Sequence, residues 1–506
     1  GGLSKAGFRG VLTLSGFNVG SLTGPININE GGLRLTDVSA VDPASPLRFN
    51  DRQSGSSSAR IQTLDLALGD GTSGTFANAL QFADQNLSTF GFAYPNEVFN
   101  DSNNSRVTLS GVVSSAAGRT TNVSFTSPPT SGVNLTGVNT FTGDVGLFGG
   151  GALGVSGNAS LGDPANRLTL RASNDAAGGL EFLAGGIDLP RALFLVGPNR
   201  FVSNGSDVNT LSGPIADSPG TAGALVKAGA GTLVLSGTNT YTGGTRVDAG
   251  TLRVGADANL GAAAGPVTIN TGATVAATGT FSASRPVQIG PASGAGVATV
   301  DVASGATVAL SGTVSDRPGG SGGLLKTGPG ALALTGTNTY TGGTTVNAGV
   351  LQVGGDASLG AGPVTVGPFG TLRYAATATT ARTFTLNAGV LEAPAGVTLT
   401  LNGAAVGGGF LRGAGTFAAT GGAVLAGATT SSSSTVTVSG PASFANFTNG
   451  GALAVTAGVA GPVTFSLFTN QPAGSVTVGA TTGAGSTVSA SDFQTSGVLT
   501  IPNAPG

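Results

Sequence analysis

The sequence predicts an all-β protein, a parallel β-helix (β-solenoid) whose short strands wind into stacked coils. Three observations predict it. The first is internal repetition. Residues 225–261 read LVKAGAGTLVLSGTNTYTGGTRVDAGTLRVGADANLG, and 99 positions later residues 324–360 read LLKTGPGALALTGTNTYTGGTTVNAGVLQVGGDASLG, with 25 of 37 positions identical. Self-similarity at a fixed period marks a repeat architecture. The second is a set of short alternating runs, such as 11–14 (VLTL), 168–170 (LTL), 251–254 (TLRV) and 364–366 (VTV). They are rich in Val, Leu, Ile and Thr at period two, the strand pattern. The third is punctuation by Gly, Asn, Asp and Pro at short intervals, with 89 Gly in 506 residues. Strands this short are unstable alone but become stable when each coil pairs with the next about 4.8 Å away. Coils of roughly 20 to 25 residues give about 20 to 25 of them. The single weak helical stretch, 78–84, is too short to stand alone.

Taken in order, residues 1–16 (GGLSKAGFRGVLTLSG) are the front half of the module with one extra residue. The chain thus opens inside a module and has no Met, which predicts a processed or truncated piece of something longer. Residues 37–106 are the least repetitive part, denser in charge and holding Phe82, Phe90, Phe92, Tyr94 and Phe99. They read as longer loops leaving the same stack, with aromatics over its core, or as a binding face. Residues 133–143 (VNLTGVNTFTG) repeat the module with Phe141 where later copies have Tyr241 and Tyr340. Leu-Ser-Gly begins at Leu109, Leu211 and Leu310, and Leu-Asn-Gly at Leu401. These landmarks predict a superperiod of roughly 100 residues, each holding several coils. A shortened copy, GFLRGAGTFAATGG, occupies 409–422, and the module fades after it. The expected division is a solenoid over 1–430 and a β segment over 431–506, either further coils or a small capping or assembly unit. The Ser run 431–434 reads as a loop joining strands.

Only three lysines occur, Lys5, Lys227 and Lys326, and all occupy one module slot; Arg412 lies at or beside it in the shortened copy. A charge confined to one repeat position predicts a structural task. It caps a turn, or it lays its stem over the stack with its head in water. Asn239, Tyr241, Asn338 and Tyr340 are the other singled-out repeat positions.

The phrase Leu-x-Leu-(Ser/Thr)-Gly-Thr-Asn-Thr-Tyr-Thr-Gly-Gly-Thr, followed by Val-x-Ala-Gly-x-Leu-x-Val-Gly, stands at 233–255 and 332–354. It resembles the passenger-associated β-strand repeat of bacterial autotransporter-type surface proteins. The resemblance implies a right-handed β-helix, export to the cell exterior, and adhesive, fibrous or scaffold roles. No C-terminal membrane barrel is recognisable, which leaves the export route open.

Composition narrows the chemistry. A net charge of −2 gives no electrostatic case for nucleic acid or an anionic membrane. With 9% charged and 40% apolar residues the chain is the reverse of a disordered one. No run approaches the length of a transmembrane helix. Absence of Cys excludes disulfides and thiolate sites, and absence of His excludes a Ser-His-Asp triad at the G-x-S-x-G match 319–323. No lysine directly follows a glycine, so no Walker motif exists. Asp101, Asn103 and Asn104 offer oxygens for calcium, though an Asx-rich turn is the simpler reading.

The expected protein is therefore a non-catalytic extracellular structural one, with no cofactor and no metal. It is a stalk, adhesin or fibre subunit that associates end to end, at the bacterial cell surface or secreted, with glycans or other cells as further partners. The alternative is a glycan-binding or glycan-cleaving surface protein using residues 37–106.

Overall fold

The computed structural model of the chain describes residues 3–5, 11–14, 24–29, 32–37, 41–49, 62–67, 69–82, 96–100, 102–171, 179–456, 461–479 and 487–500. The chain divides into two compact units, Gly1–Val254 with Ala258–Pro266, and Gly255–Asp257 with Val267–Gly506. Each is a parallel β-solenoid.

In the first unit one face runs through Val11–Leu14, Gly32–Leu35, Gln62–Leu66, Asn96–Phe99 and Val123–Thr126. A second runs through Ser73–Phe76, Arg106–Leu109, Gly132–Leu135, Ala152–Val155 and Gly179–Phe182. A third runs through Leu3–Lys5, Ile26–Ile28, Leu47–Phe49, Leu80–Phe82 and Val113–Ser115. In the second unit one face holds Val364–Tyr374, Thr383–Leu386, Ala405–Gly407, Ala423–Ala426, Ala442–Ala445 and Pro462–Asn470. Another holds Ala378–Thr380, Thr398–Asn402, Thr416–Thr420, Thr435–Val438, Ala452–Val455 and Ser475–Val478, so strands on both sides of residue 431 share one register.

Register partners measure the coil. Thr416 pairs with Thr435, a coil of 19 residues, whereas Leu47 pairs with Leu80, a coil of 33. The described residues make about 19 turns in all, fewer than expected, because the early coils are longer than 25 residues. The repeating element that the register shows is the single coil. The long coils fall in 37–106. There Phe82 stacks on Phe49 inside the core at 5.0 Å, while Phe90, Phe92, Tyr94 and the side chain of Phe99 lie outside the described residues.

Period-two alternation puts Leu399, Phe417, Val436, Leu453 and Val476 in one buried file. Near the C-terminal side the core becomes aromatic: Phe444 stacks on Phe465 at 5.0 Å, and Phe447, Phe468 and Phe493 stack in series at 5.8 and 4.8 Å. Leu-Ser-Gly has a steric cause. A Cβ on Gly213 would lie 2.1 Å from the Arg191 carbonyl oxygen of the coil before it, and one on Gly312 would lie 2.2 Å from that of Arg285. Only glycine lets the backbones approach this closely. No α-helix occurs among the described residues; short 3-10 turns stand at Asn158–Leu161 and Asp356–Ser358, and the weak helical stretch 78–84 instead carries the strand Leu80–Phe82.

Candidate functional site

The lysine slot is a cage of backbone carbonyls. Lys227 lies in Gly223–Ala228 and Lys326 in Gly320–Thr327, and both side chains are fully buried. The Lys227 Nζ donates to Ala228 O (2.8 Å), Gly229 O (2.7 Å) and Ala249 O (3.1 Å). The Lys326 Nζ donates to Thr327 O (2.5 Å), Gly328 O (2.8 Å) and Ala348 O (3.1 Å). An ammonium has three donors, and all three are used. Burial pushes both amines down from 10.5 to about 8, with nearby Asp301 pulling weakly the other way at Lys326. Each lysine therefore ties its own turn to the next coil, with its head inside rather than in water. The backbone of Lys5 pairs with Ile28, and its side chain lies outside the described residues.

Arg412 stands beside the slot, not in it. The buried neighbour Leu411 takes the inward place, and a one-residue offset in a strand turns Arg412 to the opposite face. The turn carbonyls there, Leu411 O and Gly413 O, accept instead from the Ser434 hydroxyl at 3.0 and 3.2 Å. Other coils use asparagine. Asn100 donates to Ser105 O and Gly132 O, Asn449 to Gly451 O and Ser475 O, and Asn470 to Gly474 O and Val498 O. These caps escape sequence reading because an asparagine before a turn looks like any turn residue; their one signal is that each replaces an inward apolar residue.

Asn239 and Asn338 bridge three coils. The Asn239 Oδ1 accepts from the Ile215 N–H at 2.9 Å and its Nδ2 donates to Asn259 O at 2.6 Å. The Asn338 Oδ1 accepts from the Val314 N–H at 2.8 Å and its Nδ2 donates to Ser358 O at 2.5 Å. Asn139, in the copy at 133–143, makes the same pair with Val113 and Ser160. Tyr241 and Tyr340 are fully buried, and each hydroxyl shares a hydrogen bond of 2.6 Å with a threonine, Thr245 or Thr344. A Cβ on Gly360 would lie 2.4 Å from the Tyr340 ring, which explains the glycine that closes the module.

Three arginines and two aspartates that tie coils together lie outside the repeated module and carry no signal in it. Arg191 donates through Nε to the Asn158 Oδ1 (2.8 Å) and through its Nη atoms to Asn158, Leu161 and Asn166 carbonyls. Arg285 binds Asp257, at 2.7 Å, and Arg382 binds the carbonyls of Asp356 and Gly362. Asp217 and Asp316 each accept from a backbone N–H across the turn (Gly223, Gly322) and from both the N–H and hydroxyl of a threonine, Thr242 or Thr341. At Asp316 burial raises the carboxyl, but the hydrogen bonds from Gly322 and Thr341 outweigh it, and the net direction is below the usual carboxylate value.

Catalytic candidates stay apart. The Ser321 hydroxyl shares a hydrogen bond of 2.8 Å with the Thr341 hydroxyl. Among the described residues no group of three His, Cys, Asp or Glu is placed to hold a metal. Asp101 lies outside the described residues; the Asn103 N–H is donated to the Asp70 carboxylate of the coil before it and the Asn104 N–H to the Thr130 hydroxyl of the coil after it. No helix among the described residues is long and apolar enough to cross a membrane.

The passenger-associated-transport-repeat model matches residues 225–254 and 324–353. These hold the lysine cages, the bridging asparagines and the buried tyrosines. The chain is also 35% identical over 250 residues to the adhesin BmaC autotransporter of Brucella suis biovar 1 (strain 1330). That alignment covers 45% of this chain and spans 7% of that much longer protein.

Proposed function

From the premise that the chain is an autotransporter passenger repeat protein, we propose that it is a non-enzymatic adhesin segment displayed at the bacterial cell surface. One observation carries this reading: the distinctive residues of the module, Lys227, Lys326, Asn239, Asn338, Tyr241 and Tyr340, are all buried and engaged with neighbouring coils. Such a module builds a scaffold, and its outer faces are left for contact. The similar Brucella protein is named an adhesin, which supports the same reading. The right-handed sense, the roughly 100-residue superperiod and the reading of 431–506 as further coils belong to this proposal.

Latex beads coated with the purified chain test it on cultured animal cells. Adherence above that of beads coated with an unrelated β-protein is expected; equal adherence rejects the adhesin reading. End-to-end association is a second part, supported by the unpaired strand edges at the ends of any coil stack. Electron micrographs at high protein concentration showing only dispersed particles would remove it.

A further inference from the structure

The outer face of the second unit between residues 348 and 412 carries an unusual surface. Phe369 is 81% exposed, the one exposed phenyl ring among the described residues. Its exposure has a local cause. Val346, Val366 and Leu386 are register partners, and so are Val350, Thr371 and Val390. The corner holding Phe369 therefore has one residue more than the corners below and above it. The extra residue leaves the Ala348–Phe369 pairing after an interruption in the ladder. Along this strand Phe369, Thr371 and Arg373 point outward while Gly370, Leu372 and Tyr374 are buried.

The same face continues over the next two coils. Thr371 pairs with Val390 and Val390 with Phe410; Arg373 pairs with Glu392 and Glu392 with Arg412. The Arg373 Nε donates to the Glu392 Oε2 at 2.9 Å, which settles that carboxylate. Arg412 makes no ion pair among the described residues; its guanidinium lies over the Phe410 ring, 4.6 Å from the centroid. The file Arg373, Glu392, Arg412 thus has a net charge of +1, and residues 413–491 that follow contain no charged residue to cancel it. Two strand spacings and two residues of rise separate Phe369 from Phe410, about 12 Å between Cα atoms.

We propose that this face binds a carboxylate-bearing saccharide chain, with a sugar ring on Phe369 and a carboxylate on Arg412. The proposal deepens the adhesin reading by naming a ligand class. An exposed ring offers an apolar platform for the C–H face of a pyranose. A guanidinium stacked on an aromatic keeps its in-plane donors free for bidentate contact with a carboxylate. A polyphosphate is disfavoured because it has no apolar C–H face to set on the Phe369 ring.

Calorimetry of the purified chain with oligogalacturonate, its methyl ester and a malto-oligosaccharide tests this. Oligogalacturonate binding is expected, with the ester and the neutral sugar weaker by about tenfold or more. R412Q and F369A are each expected to weaken binding about tenfold, and R412K less than R412Q. Both positions are exposed, so an unchanged far-UV spectrum and melting temperature are expected to accompany the loss. Equal binding of acid and ester, no binding by the native chain, or indifference to both substitutions overturns the proposal. So does a concentration-dependent dimer that F369A abolishes, since a second copy would then cover the face. Bead adherence that persists while oligogalacturonate binding is absent removes this ligand and leaves the adhesin reading standing.

Discussion

Burial of the two module lysines makes alkaline pH stabilising. The perturbation is a pH series on the native chain and on the variants K227M, K326M and the double variant. In the folded chain the Lys227 and Lys326 amines sit at about 8, against 10.5 for a free lysine, chiefly through burial. Between those values the unfolded chain binds more protons than the folded one, so stability rises with pH. The gap corresponds to about 3 kcal/mol per lysine at full value; screening near the surface brings the expected gain to about 2 kcal/mol. No His or Cys titrates in this window, and Arg191, which burial lowers to about 10, adds to the climb only at its upper end. Above pH 10 an opposing trend enters: burial raises Tyr340 and Tyr374, so their ionisation favours the unfolded chain.

The assay is the urea midpoint by far-UV circular dichroism at half-unit steps from pH 6.5 to 10. The midpoint of the native chain is expected to stay flat to about pH 8 and then to climb, following the folded-state amines. Each single methionine variant should lose about half the climb and the double variant nearly all of it. A native midpoint that stays flat or falls from pH 8 to 10, or a climb that survives in the double variant, refutes the buried-ammonium argument.

Three further outcomes follow from the packing. Asn338→Leu strands the Val314 N–H and the Ser358 carbonyl and should cost about 2–4 kcal/mol by thermal melting, whereas an exposed threonine-to-alanine control should cost under about 0.5 kcal/mol. Tyr340→Phe removes only the bond to Thr344 and should cost about 1 kcal/mol; Tyr340→Ala opens a cavity and should cost about 3–5 kcal/mol, so similar losses for both would contradict the buried-ring reading. Gly312→Ala forces a Cβ to 2.2 Å from the Arg285 carbonyl oxygen and should destabilise more than Gly305→Ala, where φ is +75° but nothing lies within 4 Å; the reverse order in melting temperatures would show that the left-handed backbone at 305 costs more than the close coil spacing at 312.

Much of this was legible in the sequence because a coil stack repeats its local chemistry. The alternating Val, Leu and Thr runs became strands, and the module glycines mark where backbones touch. Coil length was not legible, since loops leave the stack without changing the strands on either side, as between Leu47 and Leu80. The slot of Lys227 and Lys326 was visible as a pattern, but its meaning was not: only the three carbonyls distinguish a buried cap from a snorkelling side chain. Arg412, read as at or beside the slot, shows how one residue of offset decides between inside and outside in a strand. Arg191, Arg285 and Arg382 escaped because their partners Asn158, Asp257 and Asp356 precede them by 33, 28 and 26 residues, a spacing that follows variable loops rather than the module.

The scarcity of charge follows from the same geometry. Residues in register on adjacent coils stand about 4.8 Å apart, where like charges repel by about 1 kcal/mol in water and several times more near a protein surface. A file of charged side chains must therefore alternate in sign or be diluted. Among the described residues the register pairs of two charged residues are Arg34–Asp65, Arg373–Glu392 and Glu392–Arg412, each of opposite sign. Elsewhere dilution prevails: Lys227 stands between Phe201 and Val247, and Lys326 between Val300 and Val346. A solenoid that carried the usual share of charge at random would place like signs in contact on every face. Low charge content thus suits close stacking; Arg412, like Arg48, Arg119 and Arg253, makes no ion pair among the described residues, and it differs from them in lying over an aromatic ring on the face that carries Phe369.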